Sequence, residues 1–316
     1  MKAVFHRSFG DSSVLEVGQR DDPLPGPGQV LIRVAAAAVN PIDWKIREGL
    51  FECIFEHRFP IIPGWDVAGE IAALGRGAKG FELGDRVYAY CRQPLAHEGA
   101  YAQYIRLPES YPARLPQNLD FAAAATIPLC ALTGWQSLKV FGRVGAGDKI
   151  LIHAGAGGVG SLGIQIAKYL GATVYTTAST ANAGYCQGLG ADEVIDYRTT
   201  SYIDRVKKLA PEGLDMIFDA VGGSIPGESL DLIRPGGALA CLNEAPDEAD
   251  AEARGIRAAR IYAEASGEAL AHISMLIEAG ALRPPEFQSF PLEAAAEAMD
   301  LSQVGHVRGK LVLLVD

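Results

Sequence analysis

The chain has 316 residues, 49% of them hydrophobic and 21% charged, with a formal net charge of −10. At about 100–200 residues per domain, that length predicts two domains with substantial cores, and the composition excludes a disordered chain. The acidic balance argues against nucleic acid or an anionic membrane as the main partner.

The first third alternates short apolar runs with turn residues. Runs at 29–34, 67–72 and 86–90, broken by Pro25-Gly26-Pro27-Gly28 and Leu83-Gly84-Asp85, predict strands of an all-β lobe. From about residue 121 the pattern changes. Segments 121–132 and 135–140 predict helices, and 149–153 predicts a strand running into glycines. A helix follows, with Val159, Leu162, Ile166 and Leu170 on one face. Strands at 173–177, 193–196, 214–220 and 237–242 repeat the theme. Strands alternating with helices imply right-handed crossovers and a parallel sheet, so 121–261 is predicted to be a doubly wound α/β domain. Two helices at 267–279 and 292–302 and a strand at 310–315 complete the chain.

Five cysteines (Cys53, Cys91, Cys130, Cys186, Cys241) are too far apart for a disulfide framework or a CxxC metal knuckle. With no apolar leader after Met1-Lys2-Ala3-Val4-Phe5, the expected location is the cytoplasm. The longest nearly apolar run, 121–132, contains Thr126 and Pro128 and is too short to cross a bilayer.

The sharpest local signal is Gly155-Ala156-Gly157-Gly158-Val159-Gly160. Its Gly-x-Gly-x-x-Gly spacing follows a predicted strand and opens a predicted helix, the context that a dinucleotide pyrophosphate requires. Glycine permits a tight turn and close backbone approach, and the helix N-terminus offers free N–H groups to phosphate. No Asp or Glu occurs between Asp148 and Asp192, and the second strand ends in Thr176-Thr177-Ala178-Ser179-Thr180. An NAD site usually places an acid there, so its absence favours NADP(H). No Arg or Lys follows the strand directly, and the cation would come from Arg198 or from Arg308–Lys310.

Further motifs run in order along the chain. They are Ala37-Ala38-Val39-Asn40-Pro41-Ile42-Asp43, Pro63-Gly64-Trp65-Asp66-Val67-Ala68-Gly69, Gly84-Asp85-Arg86-Val87-Tyr88 and Gly99-Ala100-Tyr101-Ala102. After these come Leu132-Thr133-Gly134-Trp135, Leu189-Gly190-Ala191-Asp192, Asp219-Ala220-Val221-Gly222 and Gly305-His306-Val307-Arg308-Gly309-Lys310. In this order the chain resembles the zinc-free quinone oxidoreductase (zeta-crystallin-like) group of medium-chain dehydrogenases/reductases. The resemblance implies a GroES-like β-rich catalytic domain, 1–120 plus 262–316, with an inserted Rossmann NADP(H)-binding domain, 121–261. It also implies a cofactor cleft between them and a homodimer formed through the Rossmann sheet edge, with which the apolar strand 237–242 is compatible.

Zinc-dependent relatives carry a Cys near Asn40 and a His near Trp65. Asn is a poor zinc ligand and Trp is none, so no zinc is expected. Without a Lewis acid, reduction of an electrophilic acceptor is favoured over alcohol oxidation. The resemblance places Asn40 at the nicotinamide pocket and Asp43 in support of that loop; the alternative for both is capping of a short helix. It implies cofactor contacts at Thr133, at Gly155, Ala156, Gly157, Gly158, Val159 and Gly160, and at Ser179, Tyr197, Val221, Leu242 and Lys310. Thr133 could instead back-bond its helix, Tyr197 could be a sheet-end tyrosine, and Lys310 a plain surface charge. His153 reads as structural, and Cys130 and Cys241 as core residues. No general acid stands out, since Phe51 stands where some enoyl-thioester reductases carry a tyrosine. The expected activity is NADPH-dependent reduction of a quinone or related activated carbonyl. The alternatives are an enoyl or alkenal reductase, or an NADPH-binding sensor with little catalysis.

Overall fold

The computed structural model describes residues 1–54 and 56–316. Phe55 lies outside them. The chain divides into two compact units: Met1–Leu129, Glu264–Gly280 and Pro284–Asp316 form the first, and Cys130–Ala263 with Ala281–Arg283 the second.

The first unit is built on a seven-stranded sheet. Its order is Phe287–Pro291, Lys310–Leu314, Gln29–Val39, Asp66–Leu74, Arg86–Tyr90 and Ala113–Arg114, with Tyr104–Pro108 also pairing Gln29–Val39. Alternate residues of the long central strand point inward: Val30, Ile32 and Val34 are buried and Arg33 is exposed. Its last residues, Ala36 to Val39, are all buried, which accommodates cover on both faces. Helix Phe121–Ala125 packs on this sheet, and Asp66 Oδ1 accepts the Leu129 N–H at 2.7 Å. These contacts draw 121–129 into the first unit, nine residues past the expected boundary. The C-terminal strand lies inside the sheet, parallel to Phe287–Pro291 and antiparallel to Gln29–Val39.

The second unit carries a six-stranded parallel sheet in the order Glu193–Asp196, Thr173–Ala178, Lys149–Ile152, Leu214–Asp219, Ile233–Cys241, Arg257–Arg260. Ile150, Leu151 and Ile152 are fully buried, as a strand covered on both faces demands. Ile233–Cys241 is paired on both sides, so it is not a sheet edge; Arg257–Arg260, a strand that lacks a clear apolar pattern, takes that place. Segment 281–283 joins this unit because Gln165 Oε1 accepts the Arg283 N–H at 2.9 Å and Gln165 Nε2 donates to the Arg283 carbonyl at 3.1 Å. Pro128 splits the expected helix 121–132: one helix ends at Ala125 and the next starts at Pro128. Among the described residues no helix is long and apolar enough to cross a membrane.

Gly309 sets the entry to the C-terminal strand. Its φ is +70°, and a Cβ there would lie 1.8 Å from the Glu286 carbonyl oxygen. Replacement by alanine combines backbone strain with a backbone clash. Gly309→Ala is therefore expected to destabilise the protein by about 2–4 kcal/mol, read as a lower urea midpoint; an unchanged midpoint contradicts this packing.

Candidate active site

Two clusters carry the residues that the sequence singles out, one in each unit. In the first unit, Asn40 ends the strand Gln29–Val39 and precedes helix Pro41–Arg47. Pro41 suits the first helical position, where its missing N–H costs nothing. Asp43 Oδ2 accepts the Asn40 backbone N–H at 2.8 Å, so Asp43 caps the helix start. The far end of the helix is anchored by the fully buried Arg47, which donates to the Gly10 carbonyl at 3.1 Å.

Asn40 is 1% exposed and its amide is engaged at both ends. Nδ2 donates to Asp66 Oδ2 at 2.9 Å, and Oδ1 accepts from Lys310 Nζ. Lys310 also donates to the Val39 carbonyl at 3.0 Å and lies 3.4 Å from Asp66 Oδ2. An ammonium has three protons, and these three acceptors take them all. Lys310 is therefore neither a surface charge nor free for a cofactor phosphate, in contrast to the expectation from the tail motif. Burial pushes Asp66 above its ordinary value, opposed by Lys310, the Asn40 amide and the Leu129 N–H.

Asp43 is the other buried acid of this cluster. Besides Asn40 N–H, Oδ2 accepts the Tyr101 hydroxyl at 3.0 Å, while Oδ1 is buried without a partner. Burial pushes its carboxyl up to about 7; the Asn40 N–H, Lys310 and Tyr101 pull down, and Asp66 adds to the rise. Asp43, Ile46, Ile61, Trp65, Gln93 and His97 are among the walls of a cavity of about 330 Å³, counting space open to solvent. Sequence reasoning missed Asp66 and Tyr101. An acid opening an otherwise apolar strand, Asp66-Val67-Ala68-Gly69, was the available signal.

In the second unit the strand Lys149–Ile152 leads into the Gly-rich turn and helix Gly158–Tyr169, with Gly157 as its N-cap. Gly155 N–H donates to the Thr177 carbonyl at 3.0 Å. A Cβ at Gly155 would sit 2.1 Å from Thr176 Oγ1, and one at Gly160 2.2 Å from the Ala154 carbonyl oxygen. Protein packing alone thus requires glycine at these two positions. At Gly157 a Cβ would meet only the Ala154 oxygen, at 3.4 Å. The space there is open beside a helix start whose N–H groups lack intrahelical acceptors, a cradle that fits a pyrophosphate. Ala156 is buried, and Gly158 and Val159 are half-buried. Thr133 is buried on helix Pro128–Trp135, and Ser179 is the N-cap of helix Thr180–Gly188. Val221 N–H donates to Asp219 Oδ1 at 2.9 Å, and Leu242 N–H to the Asp219 carbonyl at 3.0 Å, so Asp219 links both. Tyr197 is half exposed beneath the Arg198 guanidinium, 5.7 Å from its ring centroid. His153 Nδ1 pairs with Thr177 Oγ1 at 3.2 Å, and burial pushes its imidazole down to about 4, as suits a neutral structural histidine.

The topology adds a residue that counting along the second strand does not find. Strand Glu193–Asp196 pairs with Thr173–Ala178 in a register that sets Asp196 opposite Ala178. Asp196 Oδ2 accepts the Thr180 N–H at 3.0 Å and the Thr180 hydroxyl. The end of the second strand therefore does carry a carboxylate, supplied by its neighbour rather than by its own sequence.

Two family models match the chain, the alcohol dehydrogenase GroES-like domain over residues 26–117 and the zinc-binding dehydrogenase over residues 189–313. An Arabidopsis thaliana protein, NADPH-dependent alkenal/one oxidoreductase, is 34% identical across 99% of this chain and 79% of its own. The solved quinone oxidoreductase of Coxiella burnetii is 33% identical, covers 100% of this chain and 99% of its own, and superposes with a TM-score of 0.89. A mycobacterial protein solved with NADPH is 30% identical over 99% of both chains, with a TM-score of 0.87. The chain belongs to the medium-chain dehydrogenase/reductase family, with a GroES-like domain and a Rossmann-like parallel sheet. It is an oxidoreductase.

The matching zinc-binding model raises the question of a metal. The donors here do not fit one. Asn40 offers an amide oxygen already bonded to a cation, Trp65 packs edge-on against Tyr90 at 5.9 Å, and the Lys310 ammonium stands beside Asp66.

Two outcomes follow from the buried cluster. Lys310→Met should cost about 3–5 kcal/mol because it strands the Asp66 charge, and adding Asp66→Asn should recover part of that in a double-mutant cycle. For Asp43, the folded state keeps a proton between pH 3.8 and about 7 that the unfolded state has lost. Stability should therefore fall as pH rises through that window, by about 4 kcal/mol at most, and be flat above it. Asp43→Asn should remove the slope in urea titrations from pH 4 to 7; an unaltered slope would assign it to another group.

Proposed function

We propose that the chain is a zinc-independent reductase that passes hydride from NADPH to a quinone or a related activated carbonyl. The observation that carries the reading is the 155–160 turn, where internal packing explains Gly155 and Gly160 but leaves Gly157 open for a ligand. The NADPH dependence printed for the Arabidopsis relative and the NADPH complex of the mycobacterial one support the choice of cofactor. Bound there, the nicotinamide supplies a hydride. The chain's own contribution is to hold it: the 155–160 backbone for the pyrophosphate, with Thr133, Ser179, Tyr197, Val221 and Leu242 as further contacts. In the first unit, Asn40 and Asp43 are positioning residues for the loop that faces the acceptor. Asn40 is locked by Asp66 and Lys310, and Asp43 fastens the helix start. A quinone suits this machinery, because hydride transfer leaves a hydroquinone anion that takes its one proton from solvent and demands no dedicated acid. The reading includes a cytoplasmic protein acting on a small molecule and assembling as a homodimer.

A second reading, reduction of an alkenal or enone, is favoured by the substrate class in the Arabidopsis relative's name. The two separate in one assay. NADPH consumption should accelerate with 1,4-benzoquinone or 9,10-phenanthrenequinone and be unaffected by prior chelation. Turnover confined to α,β-unsaturated aldehydes would select the second reading, and turnover with neither class would remove both.

A further inference from the structure

We propose that segment 56–62 is a proton-released wall of the cavity that Asp43 and Trp65 line: it stays closed while the His6 imidazole is neutral and comes away from the first strand when His6 gains a proton. The inference stands on the packing of the first unit and does not depend on the proposed reaction. His6 follows strand Lys2–Phe5 and is fully buried. Its backbone makes both hydrogen bonds of a bridge to Ile61: His6 N–H donates to the Ile61 carbonyl and Ile61 N–H to the His6 carbonyl, each at 2.9 Å. The segment is also held by residues 95–97. Glu56–His57 pairs with Leu95–Ala96, and Arg58 N–H donates to the Ala96 carbonyl at 3.1 Å. Ile61 and Ile62 wall the cavity from this segment, and Leu95, Ala96 and His97 from its neighbour.

The His6 ring is hydrogen-bonded so that only its neutral form fits. Nδ1 lies 2.8 Å from the Ser8 carbonyl, which can only accept, so Nδ1 carries the hydrogen and Nε2 the lone pair. Nε2 is buried and has no hydrogen-bond partner among the described residues. A neutral ring tolerates this. It packs edge-on to Phe59 at 5.6 Å; Phe59 meets Phe9 at 5.0 Å, and Phe9 meets His57 at 5.4 Å. An imidazolium would bury an N–H donor without an acceptor in this aromatic cluster. The charges nearby add to the cost. Arg47, a fixed and fully buried cation, holds the Gly10 carbonyl two residues beyond Ser8, and His57 brings a second imidazole. The Glu48 carboxylate is engaged by Arg47 at 3.0 Å, Arg7 pairs with Glu16, and His97 Nδ1 pairs with the Arg58 carbonyl at 2.7 Å. Burial holds the His6 imidazole below its ordinary value; the Ser8 carbonyl opposes this, and Arg47 and His57 reinforce it. Released, the ring takes up a proton near its ordinary 6.5; packed, it resists until lower pH. Closure is therefore complete above pH 6.5 and is lost as pH falls below it. Asp43 titrates with the opposite sign, so it does not produce a loss on acidification.

The test is hydrogen–deuterium exchange of the full chain, corrected for the intrinsic pH dependence of the rate. It is read at 57–62 and, as a reference, at strand Lys149–Ile152 of the second unit. From about pH 7.5 to about pH 5, protection of 57–62 should fall by about tenfold while the reference strand is unchanged. His6→Gln and His6→Phe cannot take up the proton. The first keeps a donor for the Ser8 carbonyl and the second keeps a ring against Phe59, so one guards against a loss of fold specific to the other. Both should abolish the fall. Protection of 57–62 that is independent of pH in the unsubstituted protein overturns the proposal. So does a fall that persists in whichever variant folds, or an equal fall in the reference strand.

Discussion

The ammonium of Lys310 is held inside the first unit by the Val39 carbonyl, the Asn40 amide oxygen and the Asp66 carboxylate. Taking a lysine out of water is costly, and only a set of well-placed acceptors offsets it. Each acceptor belongs to a different part of the architecture: the end of a central strand, the cap of the helix after it, and the head of the next strand. Lys310 itself begins the C-terminal strand. One buried charge thus ties together three pieces of chain that are remote in sequence: 39–40, 66 and 310. Asp66 extends the tie to Leu129 through its second oxygen.

The same arrangement bears on the zinc-independent chemistry proposed for this chain. Where a relative would gather neutral or anionic donors around a divalent metal, this chain gathers an amide and a carboxylate around its own cation. A fixed side-chain charge of this kind orders a loop but offers no open coordination position to an alkoxide. Acceptors that are already electrophilic need no such activation. The Asp43 carboxyl, pushed up to about 7 by burial, adds to the cavity wall a polar group whose charge changes near neutral pH.

Local features were legible in the sequence, and features created by long-range pairing were not. The strand, the 155–160 glycines and the helix after them form one continuous segment, and spacing alone located them. The position of Pro128 predicted a break only in hindsight of chain geometry, since its neighbours are uniformly apolar. Lys310, implied as a cofactor contact with a surface charge as the alternative, has its buried partners only through the sheet order that places it beside Val39. The apolar segment 237–242 was compatible with the sheet edge that the resemblance implied; the pairing of Arg257–Arg260 shows that Ile233–Cys241 is internal. Asp196 is a further case. Counting residues forward from the glycine turn finds no acid, because the acid arrives laterally, one strand over.

The place of the last strand in the first sheet also constrains the order in which the molecule can be made. Lys310–Leu314 lies between Phe287–Pro291 and Gln29–Val39, so the strands before residue 75 wait for a partner that is synthesised after the whole parallel sheet. The second unit, apart from 281–283, is complete in sequence well before then. Domains fold as units during synthesis, and loop closure over so long an insertion is entropically slow. On a ribosome the unit with the parallel sheet can therefore settle first, while the β-rich unit stays open along the flank of its central strand. That flank ends at Val39 and Asn40, so the loop at Asn40 acquires its final shape only once Lys310 has been made.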